Sequence, residues 1–408
     1  MKKILYFIIF LFCFFVSNVK ALEVDIYSEN MVLYNLNEDF VIAEKNKDEK
    51  TSIASMTKIM TVLVAIQNIN DLNEKIVLTK DVFYGLKEAN ASVAGFSVGQ
   101  TVTYKDLLYG AFLPSGADAT NALAINLTGS IDNFVKLMND EAKKLNLKNT
   151  NFSNTTGLDD ENHYSSVNDV AITLKEALKN EIFKEIFIAE KYLTSDKSLT
   201  FSSTLDMSLS TYSISADYII GGKTGYTFDA GRCLASLAYD KINDIYYLLV
   251  TSKAPTTTKY YHLLDAKNIY EHYFENYKYY DLIKQDDIIT KIETKYAKEK
   301  TINILTQNTI QKYLKNDFDI DKLVINYVGK DIVNYNTKVG EKLGTVYLNY
   351  NEEELDSFDV FLTEQLHFSL SEFIKEHFLI ILISIVIIST LFKFLRKKKK
   401  RNKKRARF

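Results

Sequence analysis

Apolar positions change their spacing several times along the chain, and each change predicts an element. Residues 31–35 and 40–44 read as two short strands joined by a polar Asn-Glu-Asp turn. They lead into an apolar run, Ile59-Met60-Thr61-Val62-Leu63-Val64-Ala65-Ile66, which predicts a helix from about Ser55. Residues 92–103 carry Gly and Ser and no period, and residues 104–113 then read as a helix stopped by Pro114. Ser115-Gly116-Ala117-Asp118 is a sharp turn, after which helical periodicity resumes over 119–127. Amphipathic helices follow at 132–145 and 167–178, separated by the polar loop 151–164. Residues 218–227 form a β-rich segment broken by glycines, where another backbone or a ligand is expected to come close. A hairpin of 234–238 and 245–252 turns at Asn243-Asp244, and residues 257–273 predict a closing helix.

Near Asn276 the texture changes to short alternating segments such as 301–305 and 323–328, which predict a separate small β domain over 277–370. Residues 369–376 then read as a connection to an almost continuous apolar stretch, 378–395, long enough at about 27 Å to cross a bilayer as a helix. The last thirteen residues, 396–408, carry ten Lys or Arg and no acid, which predicts a cytoplasmic end and an extracytoplasmic remainder. At the other end, Met1-Lys2-Lys3, the apolar run 4–16 and Val19-Lys20-Ala21 read as a secretory signal cut before Leu22. The expected organisation is a signal over 1–21, a first domain over 22–276, the β domain over 277–370 as a spacer, a juxtamembrane and membrane helix over 371–395, and a basic tail over 396–408.

Charge sharpens this division. The formal net charge of the 408 residues is −2, yet of the 50 basic residues 14 lie in the two ends, so the remainder sets 36 bases against 52 acids and carries −16. Such a surface argues against nucleic acid as a direct ligand. Cys13 lies in the apolar run of the signal, which leaves Cys233, read as a packed small apolar residue, and no intrachain disulfide. His163, His262, His272, His367 and His377 show no paired metal-ligand spacing, so no metal is expected. Asp159, Asp160 and His163 read as part of a polar loop, with the edge of a cleft as the alternative.

Candidate chemistry centres on Ser55 and Lys58. Three residues apart on a helix, hydroxyl and amine share a face about one turn apart. A serine at a helix N-terminus also sits near unpaired backbone N–H groups, which stabilise negative charge developing on an attacked carbonyl. The lysine can serve as base once burial lowers its pKa, and the apolar run that follows supplies the burial. Ser-x-x-Lys alone occurs by chance in many helices. Here, however, it is followed in order by Ser115-Gly116-Ala117 on an inter-helix turn and by Lys223-Thr224-Gly225 on a glycine-bearing strand.

That ordered triple resembles the penicillin-recognising serine acyl-transferases, whose signatures are S-x-x-K, S-D-N and K-T-G. Within them the chain looks like a serine D-alanyl-D-alanine carboxypeptidase of the S11 peptidase type, a low-molecular-weight penicillin-binding protein. Residues 53–61, Thr156-Gly157-Leu158-Asp159-Asp160 and Gly222-Lys223-Thr224-Gly225-Tyr226-Thr227 carry the likeness. The resemblance implies an α/β (α+β) fold of the β-lactamase/transpeptidase kind, an antiparallel sheet between helical layers, with the small β domain and one membrane helix appended. It implies that Ser55 attacks the carbonyl between two terminal D-alanines of a peptidoglycan stem peptide and becomes an acyl-enzyme. Lys58 would take the proton, and Ser115 would relay one to the leaving D-alanine. Lys223 and Thr224 would bind the terminal carboxylate. Backbone N–H groups of Ser55 and Tyr226 would form the oxyanion hole, with Gly225 permitting close approach. No cofactor is implied, and β-lactam antibiotics would act as covalent inhibitors. One departure stands out: the middle motif usually ends in Asn, where this chain has Ala117 and then Asp118. The alternatives are a catalytically weak wall-binding protein of the same fold and a serine β-lactamase.

Overall fold

The computed structural model describes residues 23–405, so the expected signal over 1–21, including Cys13, lies outside the described residues. The chain divides after Glu275 into two compact units.

In the first unit, β1 (Asn30–Asn35) and β2 (Phe40–Lys45) lead through a short turn to helix α1 (Thr57–Asn68). The two-strand pair β3 (Lys75–Val77) and β4 (Thr101–Thr103) precedes α2 (Tyr104–Phe112), α3 (Ala117–Thr128), α4 (Ile131–Lys144), α5 (Val167–Ala177) and α6 (Glu181–Phe187). A second small pair, β5 (Lys191–Leu193) with β6 (Thr200–Ser202), and α7 (Thr204–Thr211) lead to three long strands, β7 (Ile219–Thr227), β8 (Gly231–Asp240) and β9 (Ile245–Ala254), and to α8 (Tyr261–Asn276). The main sheet has the order β2-β1-β9-β8-β7 and is antiparallel throughout.

Helix α1 is the axis of this unit. Its residues from Thr57 to Ile66 are all buried, so it is apolar around most of its circumference and has to be surrounded. Each buried Ile, Val, Leu or Met there contributes about 1.5–3 kcal/mol of transfer free energy. Strand alternation sorts the sheet between two helical layers: Leu248 and Val250 of β9 join the core built on α1, whereas Tyr247 turns its ring to Phe274 of α8, 5.3 Å away.

Several boundaries differ from expectation. Ser55 lies in a separate 3₁₀ turn, Ala54–Met56, because Ala54 holds a left-handed φ of +47° and the α-helix starts only at Thr57. Helix α3 begins at Ala117 rather than at 119, so the turn is confined to 114–116. The glycines at 221, 222 and 225 do not break β7, which runs through all three. Helix α8 starts at Tyr261 rather than 257. Helices α6 and α7 and the two small strand pairs were not predicted, being too short to display a period.

The second unit contains β10 (Tyr277–Ile283), β11 (Ile288–Lys295), β12 (Thr301–Leu305), β13 (Ile310–Lys315), β14 (Leu323–Gly329), β15 (Ile332–Asn334), β16 (Lys342–Tyr350) and β17 (Glu353–Phe361). They form small sheets ordered β10-β13, β12-β11-β15 and β14-β16-β17, around a core that includes Ile292, Ile304, Val333, Leu343, Val346 and Val360. Helix α9 (Leu370–Arg405) follows. No separate connection intervenes between residues 369–376 and the apolar stretch, because the helix is continuous from Leu370. Side chains such as Ile383, Ile387 and Leu391 are exposed along it, and it is long and apolar enough to cross a membrane.

Candidate active site

The site is assembled where α1, the α2–α3 turn, the polar loop and the edge strand β7 converge. Ser55 is half-buried in its 3₁₀ turn, and Lys58 occupies the first turn of α1. The Lys58 Nζ donates to Ser55 Oγ at 3.0 Å and to the carbonyl of Thr156 at 2.6 Å. Lys58 is 2 % exposed. Burial lowers its amine to about 7, against the opposing pull of the Asp118 carboxylate. An amine of that pKa is neutral in much of its population at neutral pH, which is what a base beside a hydroxyl requires.

The loop that supplies Thr156 is fastened to the start of α1. Ser153 N–H donates to His163 Nδ1 at 3.2 Å, which leaves the proton on Nε2 to donate to Thr57 Oγ1 at 2.7 Å. Burial is the main cause that brings the His163 imidazole down to about 4. His163 is therefore a buried clasp, and it also lines, with Asp159, Asp160, Lys50, Ser52 and Asp229, an open pocket. The loop and cleft-edge readings thus each describe part of this segment.

Ser115 sits at the turn after α2 with a left-handed φ of +63°, and its Oγ is buried without a hydrogen-bond partner. The strained turn is held by backbone bonds from Gly116 N–H to the Gly110 carbonyl and from Ala117 N–H to the Ser92 carbonyl. Asp118 completes the anchorage: its carboxylate accepts from the N–H groups of Ala94, Gly95 and Phe96 at 2.7, 3.1 and 3.2 Å. Ala117 is buried and offers no polar side-chain group. The Asp118 side chain does not substitute for the missing Asn, since it is committed to the 94–96 backbone.

Lys223 on β7 is fully buried, donates to the Thr224 carbonyl at 3.0 Å, and lies 5.9 Å from the ring centre of Phe112 at the end of α2. Burial, and secondarily the charge of Lys58, holds its amine well below the lysine range. Thr224 Oγ1 donates to Thr204 Oγ1 of α7 at 2.7 Å. A Cβ on Gly225 would stand 3.1 Å from both Ala54 Cβ and the Ser55 nitrogen, so only glycine allows β7 this close to the serine without displacement. Tyr226 is half exposed and carries the Arg232 guanidinium over its ring at 4.4 Å. Cys233, paired with Gly225 across the sheet, is buried, and burial pushes its thiol up to about 12.

Ser55, Lys58 and Gly225 are thus brought into direct proximity, with Lys223 close enough to Lys58 for their charges to interact. Sequence reasoning did not assign roles to Thr156, Thr204 or Phe112. The first belongs to a conspicuous Thr-Thr-Gly stretch, but its contribution is a main-chain carbonyl, which no residue type announces.

A family profile described as D-alanyl-D-alanine carboxypeptidase, the S11 peptidases, matches residues 17–254. The D-alanyl-D-alanine carboxypeptidase DacF of Bacillus subtilis is 33% identical over 333 residues, 80% of this chain and 83% of that one. The crystal structure of penicillin-binding protein 5 from Haemophilus influenzae superposes with a TM-score of 0.64 at 22% identity, covering 85% of this chain and 99% of that one, and thereby shows the same fold. The Streptomyces K15 DD-transpeptidase gives a TM-score of 0.56 at 28% identity over 62% of this chain and 98% of its own. With the Ser55–Lys58 contact, the antiparallel sheet between helical layers and these likenesses in agreement, the chain belongs to the S11 peptidases, the serine-type D-alanyl-D-alanine carboxypeptidase family.

Proposed function

We propose that this protein removes the terminal D-alanine from peptidoglycan stem peptides ending in D-Ala-D-Ala, through an acyl-enzyme on Ser55, while anchored to the membrane by α9. The observation that carries the reading is the 3.0 Å contact between Ser55 Oγ and a buried Lys58 whose amine titrates near 7. Lys58 takes the hydroxyl proton as Ser55 Oγ bonds to the carbonyl carbon. The oxyanion is received by the N–H groups of Ser55 and Tyr226. Collapse of the tetrahedral adduct breaks the C–N bond, and the leaving amine takes a proton through Ser115. Water then adds to the ester, Lys58 again holding the proton in transit, and the shortened peptide departs with Ser55 restored.

Two neighbouring amines divide the electrostatic work. Both are disfavoured as cations by burial, and charge on one disfavours charge on the other. The substrate carboxylate, received by Lys223 and Thr224, restores the proton to Lys223, and that charge keeps Lys58 neutral. The catalytic region, residues 22–276, faces outward, α9 crosses the membrane once, and the basic residues 396–408 stay in the cytoplasm. A β-lactam presents a strained carbonyl beside a carboxylate and acylates the same serine.

The test is mass spectrometry of the full chain after penicillin treatment, with D-alanine release from a D-Ala-D-Ala pentapeptide measured alongside and Ser55→Ala as control. A stable adduct on Ser55 together with D-alanine release supports the reading. Penicillin hydrolysis without a lasting adduct would instead favour a β-lactamase, and neither adduct nor release would favour a wall-binding role.

A further inference from the structure

The second unit has a groove of about 760 Å³ along one side, apart from any catalytic group. Residues 301–308 and 358–367 line it without a gap. A groove on the face of a sheet would be lined by alternate residues, because successive side chains point to opposite faces. Unbroken lining means that the strands meet the groove edge-on. Both are indeed edges: β12 is terminal in β12-β11-β15, and β17 is terminal in β14-β16-β17.

The pairing of β12 shows which of its polar groups remain free for a third strand. Thr294 N–H donates to the Lys300 carbonyl at 3.1 Å, and the register continues as Glu293 with Thr301, Ile292 with Ile302 and Lys291 with Asn303. Hydrogen-bonded pairs alternate in an antiparallel ladder. Ile302 therefore bonds to β11, and the N–H and carbonyl of Asn303 point away from it, to the open side. An unpaired edge of this kind is a template for another strand. Apolar Ile304 and Val360 form part of the lining, with Leu305 and Phe361 exposed at its margin.

Charge selects the occupant. The lining contains Asp286, Glu299, Asp359 and Glu364 and no Lys or Arg. Glu299 is matched by His367 and Asp359 by Lys342, but Asp286 and Glu364 form no ion pair among the described residues. We propose that this groove binds an extended segment of another protein in which basic and apolar side chains alternate, taken up as an added strand on β12. Main-chain hydrogen bonds would supply affinity, the apolar lining would take alternate side chains, and the free acids would read the basic ones. The proposal is independent of the catalytic reading, since no residue is shared.

The experiment uses the full chain in detergent micelles and a fluorescein-labelled octapeptide alternating valine and lysine, acetylated and amidated. Fluorescence anisotropy is compared with a valine–glutamate peptide and with a valine–lysine peptide methylated on alternate backbone nitrogens, which keeps its charge but cannot pair as a strand. The expected result is saturable binding of the first peptide, weakened about tenfold or more by backbone methylation and by Asn303→Pro, which removes an outward N–H while sparing the β11 ladder. Should Asn303→Pro fail to fold, the variant combining Asp286→Asn with Glu364→Lys carries the test. Asn tolerates the left-handed backbone at 286, and the expected loss is about fivefold, with a weaker salt dependence. No saturable binding, equal binding of the methylated or glutamate peptide, or indifference to the charge variant would overturn the proposal.

Discussion

A Cβ atom built on Gly157 would fall 1.9 Å from the carbonyl oxygen of Ala54, the residue that precedes Ser55. Gly157 also holds a left-handed φ of +82°, so the polar loop reaches the serine turn only through a residue without a side chain. This contact places the adjoining Thr156 carbonyl on Lys58. Gly157→Ala is expected to destabilise the protein by about 4 kcal/mol or more and to abolish penicillin acylation. Gly129→Ala, at a similar φ of +80° with open space around it, should cost only about 1–2 kcal/mol and leave acylation intact. Chemical denaturation and penicillin labelling of both variants check the contrast.

Lys58→Met keeps an unbranched side chain in the same buried position and removes the proposed base. Penicillin acylation should fall by about 10²- to 10⁴-fold. Because the buried amine disfavours folding, the thermal midpoint should rise rather than fall. A lower midpoint with intact acylation would refute both halves.

In the proposed mechanism Lys58 works as a base when neutral, and burial lowers its amine to about 7 in the folded protein. The acylation rate should therefore rise about tenfold per pH unit below 7 and level off above it. The same depressed value means that the unfolded chain binds the extra proton between about 7 and the ordinary value of 10.5, so this group's contribution to stability rises with pH across that window. Rapid-quench acylation over pH 5 to 9, with Lys58→Met as the flat reference, tests the profile.

His163 and His262 are buried, and burial is the main cause that lowers each from 6.5 to about 4. Between these values the unfolded chain takes a proton that the folded chain refuses, so stability falls as pH drops from about 6.5 towards 4 and is indifferent to these groups above that window. At pH 5 each histidine should account for roughly 2 kcal/mol of lost stability. Urea denaturation of His163→Gln at pH 7.5 and pH 5 should show a smaller loss on acidification than the parent chain.

On the proposed reading, a substrate whose terminal carboxylate is amidated would give Lys223 no anion to restore its proton. D-alaninamide release should then be about 10- to 100-fold slower in kcat/KM, the equivalent of one charge-assisted hydrogen bond. Steady-state release assays on paired acid and amide peptides check this.

Much of the protein was legible in its residues. The apolar run after Ser55 announced α1, the loss of long periods after Asn276 announced the small β sheets, and the Ser-Lys spacing announced that hydroxyl and amine would meet, although they do so across a 3₁₀ turn and the helix after it rather than on one helix. These features are local: they depend on covalent spacing and on burying an apolar face. The same locality explains the misplaced boundaries, because the start of α3 depends on Asp118 capturing the backbone at 94–96, some twenty residues away. Only the tertiary structure decided that the Thr156 carbonyl would receive the Lys58 amine, that His163 would clasp its loop, and that β7 would approach Ser55 through Gly225. It also set the pKa of Lys58, since the spacing brings an amine to a hydroxyl but only a closed core removes the water that would keep it charged.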